Sequence, residues 1–375
     1  MSHESPITVA EVSQWHEEDL KALLIKATEA NASDVLLYPG RPVWIRVHGK
    51  WYGVSRRPLS PHEVASLVEK TSSNDSASTI IGKGDDYDYS YEILIERGIR
   101  RRFRCNATAC RANASMGIAL TLRSIPSLPP TMDDLGVPDE IRRHITPDNG
   151  LVLVTGVMGS GKSTLLAAVL RFINEHFPKH ILSYESPIEF DLMGVPSPKG
   201  PVEQTEIPRH LSEFKMATRN STRRAADVIL FGESRDVETL EGMIEAADIG
   251  VCVYSTVHTR DVASTMQRII NVFPQASRDQ MFATMANAMR LVVHQRLLPC
   301  KAGGRVAIQE YLVFSPEIRE RIAEQPIPRL ASEVQKAVEA FGRPLYLDAR
   351  EKYEAGMIYE SDFKQIERET QHKRS

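Results

Sequence analysis

The sequence feature that most restricts the possible folds is a glycine-rich stretch, GVMGSGKST, at residues 156–164. It follows an apolar segment, Leu151–Thr155, and precedes a segment with helical spacing of apolar residues, Ser163–Phe177. A strand, a tight glycine loop and a helix in this order bring backbone amides and the positive end of the helix to one point. The pattern G-x-x-x-x-G-K-[ST] in this setting predicts a nucleotide triphosphate site on an α/β sheet.

Each residue type in this loop has a physical role in binding a phosphate. Glycine lets the backbone turn sharply and bring its amides close to a β-phosphate. Lys162 would reach the β- and γ-phosphates of ATP, and the hydroxyl of Ser163 would ligate Mg²⁺. The predicted nucleotide-binding residues of the loop, with Ser163 also as metal ligand, are Gly156, Gly159, Ser160, Gly161, Lys162, Ser163 and Thr164.

The segments after the loop repeat a pattern of short apolar strands separated by helices. Predicted strands are Leu151–Thr155, Ile181–Tyr184, Asp227–Phe231 and Val251–Thr256. Apolar strands that alternate with helices indicate a parallel sheet covered on both faces. From about residue 260 onward, we expect a mostly helical chain.

The first 124 residues have a different pattern, which predicts a small α+β domain with antiparallel strands. One predicted helix covers Asp19–Ala30, and a second begins after Ser60, which can form a reciprocal capping box with Glu63. Residues 71–79 are predicted as a polar loop. Three prolines lie in Ile125–Pro130 and indicate an extended linker. We therefore expect domains at 1–124 and 131–375, joined by a linker at 125–130.

Acidic and polar residues follow three of the predicted strands of the second domain. Glu185 comes directly after an apolar strand, and Glu233 follows another after one glycine, both at the edge where parallel sheets bind ligands. Such a glutamate is more often a helix-start acid or a surface residue, but the upstream phosphate loop favours a role with metal or water. His258 ends another strand; it is either a structural histidine or a group that contacts a γ-phosphate.

Composition excludes several classes of protein. The 375 residues carry a net charge of −3, which gives no overall attraction to nucleic acid. The longest stretch without a charged residue, Asn149–Gly161, is shorter than the ~20 apolar residues of a membrane-spanning helix. No signal-peptide pattern is present, so we expect a cytosolic protein. The four cysteines lack the paired spacing of a zinc site and are expected to be reduced thiols.

A basic stretch in the first domain allows three interpretations. Strand alternation places Arg100, Arg102 and Arg104 on one face of a predicted strand. This face could be solvated, it could contact RNA, or it could bind a phosphate across a subunit boundary. RNA contact is disfavoured because no pair of aromatic residues accompanies the arginines.

An ordered set of motifs resembles the type II/type IV secretion ATPases, in particular the PilT-like pilus-retraction branch. The resemblance covers roughly residues 20–325. The strings that carry it are Ala32-Ser33-Asp34, Arg102–Asn106, Leu122–Pro126, Gly156–Thr164, Glu185–Phe190, Asp227–Asp236, Ser255–Thr259 and Gly304–Glu310.

This resemblance implies an N-terminal PAS-like domain joined to a RecA-like ATPase domain, in a ring of six subunits. Glu185 matches an acid that organises water or metal, and Glu233 matches the catalytic Walker B glutamate. His258 matches the later histidine of a two-histidine motif, whereas Val251 stands where the earlier one is expected. The resemblance also implies four basic residues at the nucleotide: Arg104 and Arg123 from the neighbouring subunit's N-terminal domain, and the pair Arg219 and Arg223.

Within the last 50 residues, the segment from Arg343–Arg350 onward is similar to the type IVB branch that includes the DotB and TraJ ATPases, and predicts a helical C-terminal extension. The implied function is an Mg²⁺-dependent hexameric ATPase that powers substrate transfer through a type IVB secretion or conjugation system. It would act in the cytoplasm, bound at the inner membrane through partner proteins. Three alternatives stay open: a pilus-retraction motor, a nucleotide-gated assembly factor, and a nucleic-acid translocase, which the net charge disfavours.

Overall fold

The computed structural model describes residues 6–9, 11–96, 99–112, 115–125, 128–232 and 236–374. The chain divides into two compact units, residues 1–127 and 128–375. Each unit has its own sheet and its own apolar core.

The N-terminal unit is a six-stranded antiparallel sheet with helices. Its strand order is β3-β2-β1-β6-β5-β4, so the first strand lies inside the sheet between the second and the sixth. The predicted antiparallel pairing is confirmed. The elements are α1 Glu17–Glu29, β1 Ala32–Leu37, β2 Trp44–Val47, β3 Lys50–Gly53, α2 Pro61–Ser72, α3 Ala77–Gly82, β4 Tyr87–Glu96, β5 Ile99–Ala112 and β6 Ser115–Ile125.

Local sequence signals account for both longer helices of this unit. The apolar stripe of α1, Leu20, Leu23, Leu24 and Ala27, is buried as its spacing predicts. The capping box of α2 is confirmed: Glu63 N donates to Ser60 Oγ at 3.2 Å, and Ser60 N donates to a Glu63 carboxylate oxygen at 2.8 Å. The predicted loop at 71–79 is wrong in part, because Ala77 and Ile81 bury one face of α3 in the core.

The second unit contains a seven-stranded sheet in the order β13-β12-β7-β11-β10-β8-β9. All neighbouring strands are parallel except β12 and β13, which confirms the predicted parallel sheet. Its elements are α4 Asp139–His144, β7 Gly150–Thr155, α5 Lys162–His176, β8 Ile181–Glu185, β9 Val202–Glu206, α6 Phe214–Ser221, β10 Val228–Phe231, α7 Val237–Asp248, β11 Cys252–Val257, α8 Ala263–Ile270, α9 Gln275–Ala288, β12 Met289–Pro299, β13 Arg305–Val313, α10 Pro316–Ala323, α11 Leu330–Phe341, α12 Leu345–Glu354 and α13 Glu360–Arg374.

The expectation of a mostly helical chain after residue 260 is confirmed by α8 to α13, but it missed β12 and β13, which together supply two long strands of the sheet. β12 follows α9 directly, without a glycine or proline turn, so no local signal separates the two elements. The strand forms because it pairs in parallel with β7, a tertiary contact that apolar periodicity cannot reveal.

The strand β7 is buried along its whole length. Leu151 and Leu153 belong to the core on one face of the sheet, and Val152 and Val154 belong to the core on the other. A strand fixed on both faces holds the loop that follows it in one place. A separate small core, formed around Ile308, packs α12 and α13 against β13. Among the described residues, no helix has the length and apolar character of a membrane span.

Candidate nucleotide site

The glycine loop connects the carboxyl end of β7 to the first turn of α5. Gly156 has φ +147° and Gly161 has φ +82°, conformations that favour glycine. A Cβ on Gly156 would lie 2.4 Å from the carbonyl oxygen of Gln295, so this position has no room for a side chain. The loop therefore turns as predicted and ends at the N-terminus of a 15-residue helix.

Lys162 is buried at the start of α5. Its Nζ donates to the carbonyl oxygens of Gly156 and Val157, each at 3.0 Å. These contacts hold the ammonium group inside the curve of the loop. A phosphate in the loop would meet this charge together with the amides of the first helical turn.

The hydroxyl-bearing residues of the loop differ in exposure. Ser163 is exposed and Thr164 is half-buried, whereas the hydroxyl of Ser160 is buried against Gly156. In the described part of the chain, the Ser160 hydroxyl has no hydrogen-bond partner. The exposed hydroxyl of Ser163, one residue beyond the lysine, fits the predicted role of Mg²⁺ ligand, since Mg²⁺ prefers oxygen ligands beside phosphate.

Glu185 ends β8, at the same edge of the sheet as the loop. Ser183 Oγ donates to Glu185 Oε1 at 2.6 Å, and Gln204 Nε2 donates to the same oxygen at 3.2 Å. Burial raises the pKa of Glu185 above its usual value, and these two hydrogen bonds act in the opposite direction by favouring the carboxylate. Sequence reasoning missed both donors; Gln204 lies on β9, a half-buried strand that was not predicted.

A hydrogen bond joins the ends of β10 and β11 beside Glu185. Thr256 Oγ1 donates to the carbonyl oxygen of Gly232 at 2.7 Å, and Gly232 N donates to the carbonyl oxygen of Tyr184 at 2.8 Å. A Cβ on Gly232 would lie 3.3 Å from the Cα of Glu185. The predicted catalytic residue Glu233 follows Gly232 directly, and it lies outside the described residues.

His258 lies next to the loop. It follows Val257, which pairs with the last residue of β7, and Gly156 N donates to the carbonyl oxygen of Val257 at 3.3 Å. An open cleft of about 650 Å³ lies beside it, lined by the loop residues Val157 and Met158 and by the segment after β11. The structure thus brings His258 and the glycine loop together.

Two further residues near the loop come from the strands that sequence reasoning missed. Gln295 Nε2, on β12, donates to the carbonyl oxygen of Ser160 at 2.7 Å. Arg305 Nη1, at the start of β13, is 3.4 Å from the carbonyl oxygen of Gly159. The motif that contains Arg305 was noted in the sequence, but its contact with the loop depends on the pairing of β12 with β7.

The predicted pair Arg219 and Arg223 is exposed, on and just after α6. Neither guanidinium makes an ion pair or hydrogen bond within the described ranges. The helix is joined to β8 through Asn220, whose Oδ1 accepts a hydrogen bond from Tyr184 at 2.8 Å. The structure does not bring this pair into contact with the glycine loop.

Arg104 and Arg123 stand directly opposite each other on β5 and β6 of the N-terminal unit. Arg123 Nε is 2.9 Å from the buried carboxylate of Asp34, and Arg104 Nη2 is 4.0 Å from Asp88. Both arginine side chains are largely exposed. Like charges at directly opposed positions destabilise a sheet, so this pair costs stability that the two acids offset in part.

A parallel sheet with a glycine loop of this pattern after a buried inner strand is typical of nucleotide-binding α/β proteins. Comparison with known proteins specifies the family. The family model described as "Type II/IV secretion system protein" matches residues 11–365, and the chain belongs to this family.

Its relatives include ATPases of type IV pili and secretion systems, and the chain is an ATP hydrolase of this family. It is 36% identical to the type IV pilus retraction ATPase PilT of Pseudomonas aeruginosa over 84% of this chain and 89% of that protein. It is similar to the crystal structure of the ATPase DotB of Legionella pneumophila, with TM-score 0.90, 37% identity and coverage of 95% and 97%. The structure of the pilus retraction motor PilT with bound ADP matches with TM-score 0.80, 30% identity and coverage of 92% and 96%.

Proposed function

We propose that this protein is the ATPase that powers substrate transfer through a type IVB secretion or conjugation apparatus. The observation that carries the proposal is the similarity to DotB, with TM-score 0.90 over 95% of this chain, a match that leaves at most a small part of either chain uncovered. The corresponding score is 0.80 against the PilT structure and 0.79 against the DotB of Yersinia pseudotuberculosis, so the proposal rests on the Legionella match. The transferred substrate would be a protein or a DNA–protein complex.

The site supports a division of roles among residues of one subunit. Lys162 would exchange its loop carbonyls for the β- and γ-phosphates of ATP, and Ser163 would hold Mg²⁺, which neutralises developing phosphate charge. Glu185, whose carboxyl group accepts hydrogen bonds from Ser183 and Gln204, would orient water or metal-bound water. Glu233 would act as general base, and His258 would contact the γ-phosphate and register its loss.

The N-terminal unit would supply the remaining positive charge from a neighbouring subunit. In this proposal the unit is a PAS-like domain, the second unit is RecA-like, and six chains form a ring. Arg104 and Arg123 would then approach the neighbour's nucleotide, with Arg219 and Arg223 as further basic residues of the site. Hydrolysis would rotate the N-terminal unit about the 125–130 linker. The ring would bind the cytoplasmic face of the inner membrane through partner proteins.

The catalytic assignment is tested by Glu233→Gln in the full chain. We expect this variant to bind ATP as tightly as the wild type and to lose turnover by about 10²-fold or more, because the general base is gone. The matched control is Glu238→Gln, which neutralises an exposed acid five positions further on, in α7. Wild-type hydrolysis by Glu233→Gln would overturn the assignment.

The transport role is tested by crosslinking in cells, followed by mass spectrometry of the attached membrane proteins. Core proteins of a secretion or conjugation apparatus would support the proposal, and pilus-base proteins would contradict it. A pilus-retraction motor is the second candidate, favoured by the 36% identity to PilT. Loss of the gene would then abolish twitching motility and leave substrate transfer intact.

A further inference from the structure

Gln295 is the first member of a buried chain of hydrogen bonds that leaves the nucleotide loop. It is 4% exposed, and its Nε2 donates to the carbonyl oxygen of Ser160 at 2.7 Å. It also packs against the loop glycines, since a Cβ on Gly161 would lie 2.8 Å from the same nitrogen. The position of this one amide therefore limits where the backbone of the loop can lie.

The chain continues through Gln309, which faces Gln295 across β12 and β13. Gln309 Nε2 donates to Gln295 Oε1 at 2.8 Å, which fixes the orientation of the Gln295 amide. The backbone N of Gln309 donates to Asp348 Oδ2, on α12, at 2.8 Å. The same carboxylate oxygen accepts a hydrogen bond from Lys352 Nζ at 2.6 Å. Gln309 and Asp348 are each 3% exposed, so water does not compete for these contacts.

The next residue of β13, Glu310, makes a second connection between α12 and the nucleotide site. Its Oε1 accepts from Val262 N at 2.8 Å, and its Oε2 accepts from Leu345 N at 3.4 Å. These amides lie at the N-terminal ends of α8 and α12, so one buried carboxylate caps both helices. The segment that leads into α8 begins with His258. α12 is thus connected to both sides of the cleft beside the loop.

We propose that Gln295 is a positioning residue for nucleotide binding, and that α12 sets its position through Asp348 and Gln309. The C-terminal extension then controls how well the loop binds nucleotide, and nucleotide in turn stabilises α12, because coupling between two sites is reciprocal. The inference rests on the proposed placement of nucleotide at the glycine loop.

The test measures the Kd of a fluorescent ADP analogue for the folded full-length protein. Gln295→Met keeps the volume of the side chain and removes both amide contacts. Loss of one buried hydrogen bond changes a binding constant by about 3- to 10-fold, so we expect Kd to rise by that factor in Gln295→Met. We expect a rise of about 3-fold in Asp348→Ala. Turnover at saturating ATP should stay within about 3-fold of the wild type, since neither residue touches the reacting atoms.

The matched control for the helix is Glu351→Ala. Glu351 lies one turn beyond Asp348 on α12 and pairs with the same Arg343, but it is 61% exposed and forms no hydrogen bond or ion pair with β13 among the described residues. Its Kd should stay within 2-fold of the wild type. Equal Kd values for Asp348→Ala and Glu351→Ala would refute the role of α12. An unchanged Kd in Gln295→Met would refute the positioning role.

A double variant and a wild-type measurement complete the design. If the contacts form one chain, the fold-increase in Kd of the double variant should be smaller than the product of the fold-increases of Gln295→Met and Asp348→Ala. Added ADP should also slow hydrogen exchange in residues 345–354 of the wild type, a readout that does not depend on any variant folding. Lys162→Ala separates the two proposals. If this variant binds ADP with the wild-type Kd, the proposed nucleotide site is wrong. If it loses ADP binding while Gln295→Met keeps the wild-type Kd, only the positioning role of Gln295 is contradicted.

Discussion

Glu63 is a buried, multiply hydrogen-bonded carboxylate of the N-terminal unit, and neutralising it tests how much this group stabilises the fold. Its side chain is 4% exposed and its carboxylate accepts from four donors. Arg57 donates from two guanidinium nitrogens at 2.5 and 3.1 Å, and the backbone amides of Ser60 and Trp15 each donate at 2.8 Å. Arg57 foremost, and then the two amides, lower the pKa of Glu63 from 4.5 to about 2 despite its burial.

The size of the effect follows from this pKa. One pKa unit corresponds to about 1.4 kcal/mol, so ionised Glu63 stabilises the folded unit by about 3 kcal/mol at pH 7. A lowered folded-state pKa gives stability that is complete above the unfolded pKa and is lost as pH falls toward the folded pKa. The contribution should therefore shrink between pH 4.5 and 2, and about 40% of it should remain at pH 3. We expect Glu63→Gln to lower the free energy of unfolding by about 3 kcal/mol at pH 7.

Tryptophan fluorescence isolates this unit in the full-length protein, because all three tryptophans, Trp15, Trp44 and Trp51, lie within residues 1–127. Urea unfolding would be followed at pH 7 and pH 3 for the wild type and for Glu63→Gln. The control is Glu69→Gln, on the same helix, whose carboxylate forms no hydrogen bond or ion pair with other described residues. A difference between wild type and Glu63→Gln below about 1 kcal/mol at pH 7, or one that is equal at both pH values, would refute the reasoning.

Two further predictions concern the proposed catalytic roles. Gln204→Leu removes a hydrogen bond that favours the ionised form of Glu185, so the pKa of Glu185 should rise. The acidic limb of the ATPase pH–rate profile should then move to higher pH. An unshifted limb would contradict a role for this carboxylate. Arg104→Ala should lower the turnover number by at least about 10²-fold if the arginine acts on a neighbour's nucleotide. The free energy of unfolding, followed by tryptophan fluorescence, should stay within about 1 kcal/mol of the wild type because the side chain is exposed. A parallel loss of stability would show instead that the sheet, not the nucleotide, needs this charge.

The sequence predicted the conformation of the glycine loop well because the loop is a local structure. Its glycines, Lys162 and the helix that follows are adjacent in the chain, and their geometry depends mainly on backbone conformation. The predicted strand ends place Glu185 and His258 at the same sheet edge for a similar reason, since parallel strands share one direction. Their detailed environment was not predictable, because Ser183 and Gln204 reach Glu185 only through the packing of β8 against β9.

Two kinds of information thus come from different levels of structure. The sequence by itself determined the capping box at Glu63, the alternation of strands and helices, and the phosphate loop, because each depends on residues that are near neighbours in the chain. Only the tertiary structure decided that Arg57 and Trp15 also bind Glu63, that residues 289–313 form strands, and that Gln295 supports the loop. These features depend on pairing between distant segments, where burial and cross-strand contact override local propensity.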